Sequence, residues 1–155
     1  MDIKSLIAQH VIEAHEGGNW TSNSIKETLQ DVSLRAATTV TAASQNTIAA
    51  ILHHLSYWNR VMIQRIAGIT VEIPDSNGFD VPAITTEQEW TALQEDNIKS
   101  AHELASAIRA YDPEDLSNPI LPGYSSAYKN LQGTVEHIYY HLGQMTMLKR
   151  LNENL

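Results

Sequence analysis

The sequence predicts an all-α fold, a four-helix bundle that occupies a single domain over residues 1–155. The length of 155 residues suits one domain, and a hydrophobic fraction of 43% is typical of a globular chain. Four segments repeat apolar residues at steps of three and four, which is the spacing of one helix face. No segment shows the sustained alternation of a β-strand, so we expect no sheet.

The first predicted helix covers residues 3–15 and is stopped by Gly17 and its neighbouring glycine. Its apolar side carries Ile3, Leu6, Ile7, His10, Val11 and Ala14. A capping-box pattern that starts at Ser24 indicates a short helical turn over residues 25–31. Residues 32–45 are small, β-branched and polar, and we interpret them as a connection packed along the bundle.

The second long helix is predicted over residues 47–67, and Gly68 is placed to end it. Its apolar positions are Ile48, Ile51, Leu52, Leu55, Trp58, Met62 and Ile66. Residues 69–85 contain two prolines and an Asn-Gly pair, which are typical of a loop.

The third and fourth helices are predicted over residues 86–110 and 126–151. Thr86 and Glu89 form a capping box at the start of the third helix, and the segment 112–123, with three prolines, separates the two helices. The fourth helix presents the stripe Leu131, Val135, Ile138, Leu142 and Met145. Because the links before the second and fourth helices are long, they can cross over the bundle, and a simple up-down-up-down order does not follow.

Charge and composition exclude several classes of function. With 18 acidic and 10 basic residues the net charge is −8, and such a surface repels nucleic-acid phosphates and anionic lipids. We therefore expect no nucleic-acid partner and no membrane association. The absence of cysteine rules out disulfides, thiolate metal sites and a cysteine nucleophile. The N-terminal segment has neither the basic nor the apolar region of a signal peptide, so a cytoplasmic location is expected.

The seven histidines are more than the rest of this composition would suggest, and three of them indicate a metal site. His137 and His141 are one helical turn apart and can share one ion. At about 100° per residue they lie about 80–120° from the centre of their apolar stripe, and His54 lies about 100° from the centre of its own. His53 lies about 160° away, near the solvent side. A site at the edge of the contact between the second and fourth helices can therefore combine His54, His137 and His141.

Three neutral imidazoles with a fourth position left to water are the arrangement of a catalytic divalent metal. The alternative is a set of partly buried histidines that only pack at the edge of the core. Of the other histidines, His10 is expected in the core or at a dimer face, whereas His15 and His102 fall on polar faces and are expected to be solvated. The tryptophans are most simply core residues: Trp20, Trp58 and Trp90.

Three stretches resemble the DinB/YfiT-like superfamily of metal-binding four-helix bundles. Gly17 to Trp20, followed by residues 24–29, is similar to an early "G-x-W … S-[IL]-x-E-x-L" segment. Residues 47–59 are similar to an "S-I-x-x-I-x-x-H-L-x-x-W" helix, and residues 131–144 to an "L-x-G-x-x-x-H-x-x-Y-H-x-G-Q" helix, which is the most specific of the three.

The resemblance implies an up-down-down-up bundle, usually a homodimer, and it carries the metal positions over to His54, His137 and His141. Members of the family include thiol-dependent S-transferases of the bacillithiol type and a mycothiol-dependent maleylpyruvate isomerase. The resemblance does not imply DNA binding.

The leading hypothesis is a metal-dependent enzyme, a hydrolase or a small-thiol-dependent S-transferase, that acts on a small-molecule substrate. The metal, zinc, nickel or iron, would activate a water or a low-molecular-weight thiol, since the chain has no thiol of its own. Gln144 can orient a ligand. Glu136 lies on the side of its helix that faces away from the proposed site. Asp75 and Asp80, in the loop after the second long helix, can reach the mouth of the site. None of the three is identified as the general base. The alternatives are a non-catalytic metal- or ligand-binding dimer and a metal-free interaction protein.

Overall fold

The computed structural model describes residues 2–112 and 116–153, and within them it contains six helices and no strand. The part 113–115 of the predicted break between the last two long helices lies outside the described residues. The all-α prediction is confirmed. The helices are α1 (Ile3–Glu16), α2 (Ile25–Leu29), α3 (Leu34–Thr38), α4 (Ile48–Ile66), α5 (Glu87–Ala110) and α6 (Ala127–Leu151).

Each long helix starts where a short polar side chain satisfies a free backbone N–H of the first turn. Asp2, Thr47, Thr86 and Ser126 all accept such a hydrogen bond. The predicted box at α5 is complete, because Glu89 also accepts from the backbone N–H of Thr86. Since these signals are local, the predicted starts agree with the structure to within one residue.

The four long helices form an up-down-down-up bundle, as specific contacts show. Ser56 and Asn59 of α4 meet Asn97 and Ser100 of α5 in the same order, so these two helices are parallel. The contacts of α4 with α6 run in opposite order, because His54 meets His137, whereas Arg65 at the end of α4 lies 5.0 Å from the ring of Tyr124, just before α6.

Helix α1 is antiparallel to α5. Lys4 donates to the carbonyl of Tyr111 at the end of α5, and Glu16 pairs with His102 in its middle. Each long helix therefore packs against two others: α1 against α5 and α6, and α4 against α5 and α6.

The core lies between these four helices. The predicted stripe of α6 is buried throughout, and Leu131 and Ile138 are fully excluded from solvent, each contributing about 1.5–3 kcal/mol. The stripe of α1 is rotated from its predicted position. Ile3 and Leu6 are 44% and 43% exposed. The buried positions of α1 are instead Ile7, Ala8, Val11, Ala14 and His15.

Two other sequence-based assignments are corrected by the structure. Residues 32–45 are not only a connection, since Ser33 caps the short helix α3, which packs on α4. Trp20 is not in the core but 97% exposed, because it lies in the loop after α1 where no element covers it. Trp90 is buried as predicted, and its indole N–H donates to the carbonyl of Val32.

Over residues 2–112 and 116–153, no helix is both long enough and apolar enough to cross a lipid bilayer.

Candidate metal centre

The antiparallel pair α4 and α6 brings three predicted histidines together. His54 is buried on α4, and His137 and His141 lie one turn apart on α6. The Nε2 atom of His137 is 3.0 Å from the Nε2 of His54 and 3.0 Å from the Nε2 of His141. The site predicted at the α4–α6 contact is thus assembled by the fold itself.

The outer nitrogens of two of these rings have fixed roles. Nδ1 of His54 lies 2.6 Å from the backbone carbonyl of Asn77, and Nδ1 of His141 lies 2.7 Å from the side-chain oxygen of Gln144. A carbonyl oxygen only accepts, so each Nδ1 carries the hydrogen and donates. Both Nε2 atoms therefore keep a free lone pair that points toward the common centre.

The spacing of the three nitrogens fits a single ion. Imidazole nitrogens bound tetrahedrally at 2.0–2.1 Å from zinc lie about 3.3 Å from one another. The donor atoms of His54, His137 and His141 all lie within 4.8 Å of one another, and two of the separations are 3.0 Å. Lone pairs aimed at one point repel unless a proton or a cation lies between them. The donor set can therefore hold a metal ion.

Burial also selects the protonation state that metals require. It lowers the pKa of His54 to about 4 and, together with the neighbouring imidazoles, lowers the pKa of His137 to about 3. The pKa of His141 is lowered by burial too, in spite of its hydrogen bond to Gln144. All three rings are neutral at pH 7, which is the form that coordinates metals.

The loop between α4 and α5 supports His54 through a turn at Asn77 and Gly78. Both residues have positive φ, 51° and 77°, a conformation that asparagine and glycine tolerate best. The carbonyl of Asn77 accepts from His54, and its side-chain oxygen accepts from the indole N–H of Trp58 at 3.1 Å. Phe79 stacks on the His54 imidazole with ring centroids 3.9 Å apart. The turn therefore fixes both the tautomer and the plane of His54.

Sequence reasoning did not assign a role to this turn. The Asn-Gly pair was interpreted as an ordinary loop signal, although it is a signal for a tight turn with positive φ. That this turn meets His54 depends on the path by which the loop of residues 67–86 returns to α4, and no local pattern encodes that path.

A cavity of about 440 Å³ opens beside the histidines. The three imidazoles form part of its wall, and the rest comes from α4, the loop and the N-terminal half of α6. Among the residues that the structure describes, none that lines the cavity is Asp or Glu, so Asp75 and Asp80, which were expected to reach the site, do not line it. Glu136 is exposed on α6 and also does not line the cavity, as predicted.

The remaining histidines lie outside the cluster. His53 donates its Nδ1–H to the backbone carbonyl oxygen of Gly78 in the loop, at 2.8 Å. His10 is exposed, which excludes the core placement and leaves the expected dimer face as a prediction. His15 is not solvated but fully buried: its Nδ1 donates to the carbonyl of Val11, and its Nε2 lies 3.5 Å from the side-chain nitrogen of Asn59 on α4. Burial lowers the pKa of His15 to about 4.

Comparison with known proteins agrees with this geometry. The family model of the DinB superfamily matches residues 19–145, a range that includes all three histidines of the cluster. No curated protein and no solved structure matches the chain. Because the family model matches most of the chain, the chain belongs to the DinB superfamily.

Proposed function

We propose that this chain is a metal-dependent enzyme in which His54, His137 and His141 bind one divalent ion. The observation that carries the proposal is the convergence of three Nε2 atoms on one point at the wall of a cavity. Among the described residues, the group of potential ligands contains these three side chains and no carboxylate. Three protein ligands leave a coordination position for a small molecule from the cavity.

A bound divalent ion would lower the pKa of a coordinated water or thiol, which supplies a nucleophile at neutral pH. The chain's own groups would hold and orient the donors: Asn77 fixes His54, and Gln144 fixes His141. The reaction we propose is hydrolysis or S-transfer from a low-molecular-weight thiol. A thiol would have to come from outside, since the chain contains no cysteine.

The first test is the metal content of protein purified without an affinity tag, measured by elemental mass spectrometry. We expect about one zinc, nickel or iron ion per chain in the wild type, and loss of that ion in His54→Ala and His137→Ala. His10→Ala is a matched control, because His10 is exposed on α1 and outside the cluster. A wild type that contains no zinc, nickel or iron, even after dialysis against zinc and against nickel, would contradict the proposal.

The non-catalytic alternative is distinguished by access to the ion. If the site is catalytic, an exogenous ligand such as azide should bind the cobalt-substituted protein and change its visible spectrum. If the spectrum does not respond at any azide concentration, the ion is closed to small molecules and the enzyme proposal fails, while metal binding stands.

A homodimer is part of the proposal. The outer side of α6 exposes Tyr140, Met147 and Leu151, which are 64%, 58% and 55% accessible. Their spacing of seven and four residues places them on one helix face, where apolar surface favours association. Met147→Glu should shift the protein from dimer to monomer in analytical ultracentrifugation. A wild type that is monomeric at micromolar concentration would contradict this part.

A further inference from the structure

The cavity beside the histidines has a second end, where two cations line it. Because α4 and α6 are antiparallel, residues late in α4 and early in α6 lie at the same side of the cluster. Arg65 is eleven residues after His54, and Lys129 is eight residues before His137, about 16 Å and 12 Å along the helix axes. Both side chains belong to the wall of the cavity.

Arg65 is held in place by aromatic rings and not by an acid. Its guanidinium carbon lies 5.3 Å from the ring centroid of Trp58 and 5.0 Å from that of Tyr124. Within the described residues it has no carboxylate within 4.0 Å, and its buried Nε has no hydrogen-bond acceptor. Its Nη1 also makes a 3.9 Å contact with the sulfur of Met62. A planar guanidinium fixed in this way can offer its terminal N–H groups to a carboxylate or phosphate with little loss of entropy.

The charge around this cavity is opposite to that of the whole chain. The net charge is −8, yet the described residues of the cavity wall include Arg65 and Lys129 and no acidic side chain. Lys129 also makes no ion pair with any residue that the structure describes. Two cations that have no acidic partner within residues 2–112 and 116–153 create a local positive potential at one end of the cavity, and such a potential attracts an anion.

Between the cations and the histidines the wall is largely apolar. Trp58 lies next to both ends, since its ring is 5.9 Å from that of His137 and under the guanidinium of Arg65. Met62 and Phe79 also line this part of the cavity. A volume of about 440 Å³ is within the range of small-ligand sites.

We propose that the cavity receives a small organic anion whose carboxylate or phosphate group binds Arg65 and Lys129. Its apolar body lies against Trp58, and its opposite end faces the three histidines. That the end of the ligand facing the histidines is the end that reacts rests on the proposed function. Recognition of the anionic group by Arg65 and Lys129 does not require a metal.

The test measures binding of 3-phenylpropionate, phenyl phosphate and the neutral 3-phenylpropionamide to zinc-loaded and metal-free protein by calorimetry. We expect at least one anion to bind at least ten times more tightly than the amide in both forms. The preference should fall to threefold or less in Arg65→Gln and in Lys129→Gln. Arg109→Gln is the control, because Arg109 is exposed on α5 and does not line the cavity.

Equal affinity for the anions and the amide in the wild type would overturn the proposal. A preference that survives in both Arg65→Gln and Lys129→Gln would also overturn it. If Arg65→Gln does not fold by circular dichroism, the exposed Lys129→Gln carries the test. His54→Ala separates the two proposals, because it should lose the metal and keep the preference for the anion.

Discussion

The hydrogen bond between His141 and Gln144 allows a quantitative test of how the site is organised. Gln144→Ala removes the only acceptor that the structure shows for the Nδ1–H of His141, a contact of 2.7 Å. Loss of such a partner of a metal-bound histidine typically weakens metal affinity 10–100-fold, which is about 1.4–2.7 kcal/mol. Because the imidazole keeps its place on α6, we expect this loss without unfolding.

The assay is competition for zinc between the protein and a chromophoric chelator at pH 7.5. Tyr140→Phe is the matched control, since it removes the hydroxyl that Gln144 donates to at 3.2 Å but keeps the acceptor for His141. Its zinc affinity should change by less than about threefold, as expected for an exposed contact. Unchanged affinity in Gln144→Ala would refute the view that this hydrogen bond orients the ligand.

Two further predictions concern stability. Gly78→Ala should lower the free energy of unfolding by about 1–3 kcal/mol, because residue 78 has a φ of +77° and an added Cβ would lie 2.6 Å from the ring of Tyr57. The same substitution should also weaken zinc binding. Gly68→Ala, with φ +80° and open space, controls for backbone strain alone, and equal losses in both variants in urea titrations would contradict the steric argument. The metal-free protein should lose stability as the pH falls from 6.5 toward 4, because in this range histidines of the unfolded chain bind protons and the buried histidines of the folded protein do not. Because its pKa is lowered to about 4, His15 should account for about 2 kcal/mol of the stability lost between pH 7 and pH 5. In urea titrations, the free energy of unfolding of His15→Gln should therefore fall less over this pH range than that of the wild type. An identical fall in the two proteins would contradict this assignment.

The parts of the fold that were predictable from sequence are those encoded by local signals. The capping box of Thr86 and Glu89 fixes the start of α5, and the apolar stripe of α6 fixes its buried face. His54, His137 and His141 could be selected because helical geometry alone determines how far each lies from its stripe.

One failure occurred where polar groups satisfy one another in the interior. His15 was assigned to solvent, yet it follows Ala8 and Val11 at steps of three and four on the buried face of α1. Its burial is tolerated because its Nδ1 donates to a carbonyl and its Nε2 lies 3.5 Å from the amide nitrogen of Asn59 on α4. Such pairs between distant segments have no signature in hydrophobic periodicity.

The cations of the cavity could not be identified from sequence for a related reason. Arg65 is an ordinary residue of the last turn of α4, where a basic side chain also favours the helix end. Only the packed structure shows that Trp58 and Tyr124 hold it and that none of the described acids pairs with it.

The support of His54 by a main-chain carbonyl has a consequence for how this site can be mapped and altered. Replacing Asn77 removes its side chain but leaves the carbonyl that His54 uses, so systematic alanine replacement would pass over this contact. The contact depends on the length and path of the loop between α4 and α5. Insertion or deletion of a single residue before the turn would displace the carbonyl, free the His54 ring to rotate and misalign its Nε2, while every residue of the cavity wall stays chemically unchanged.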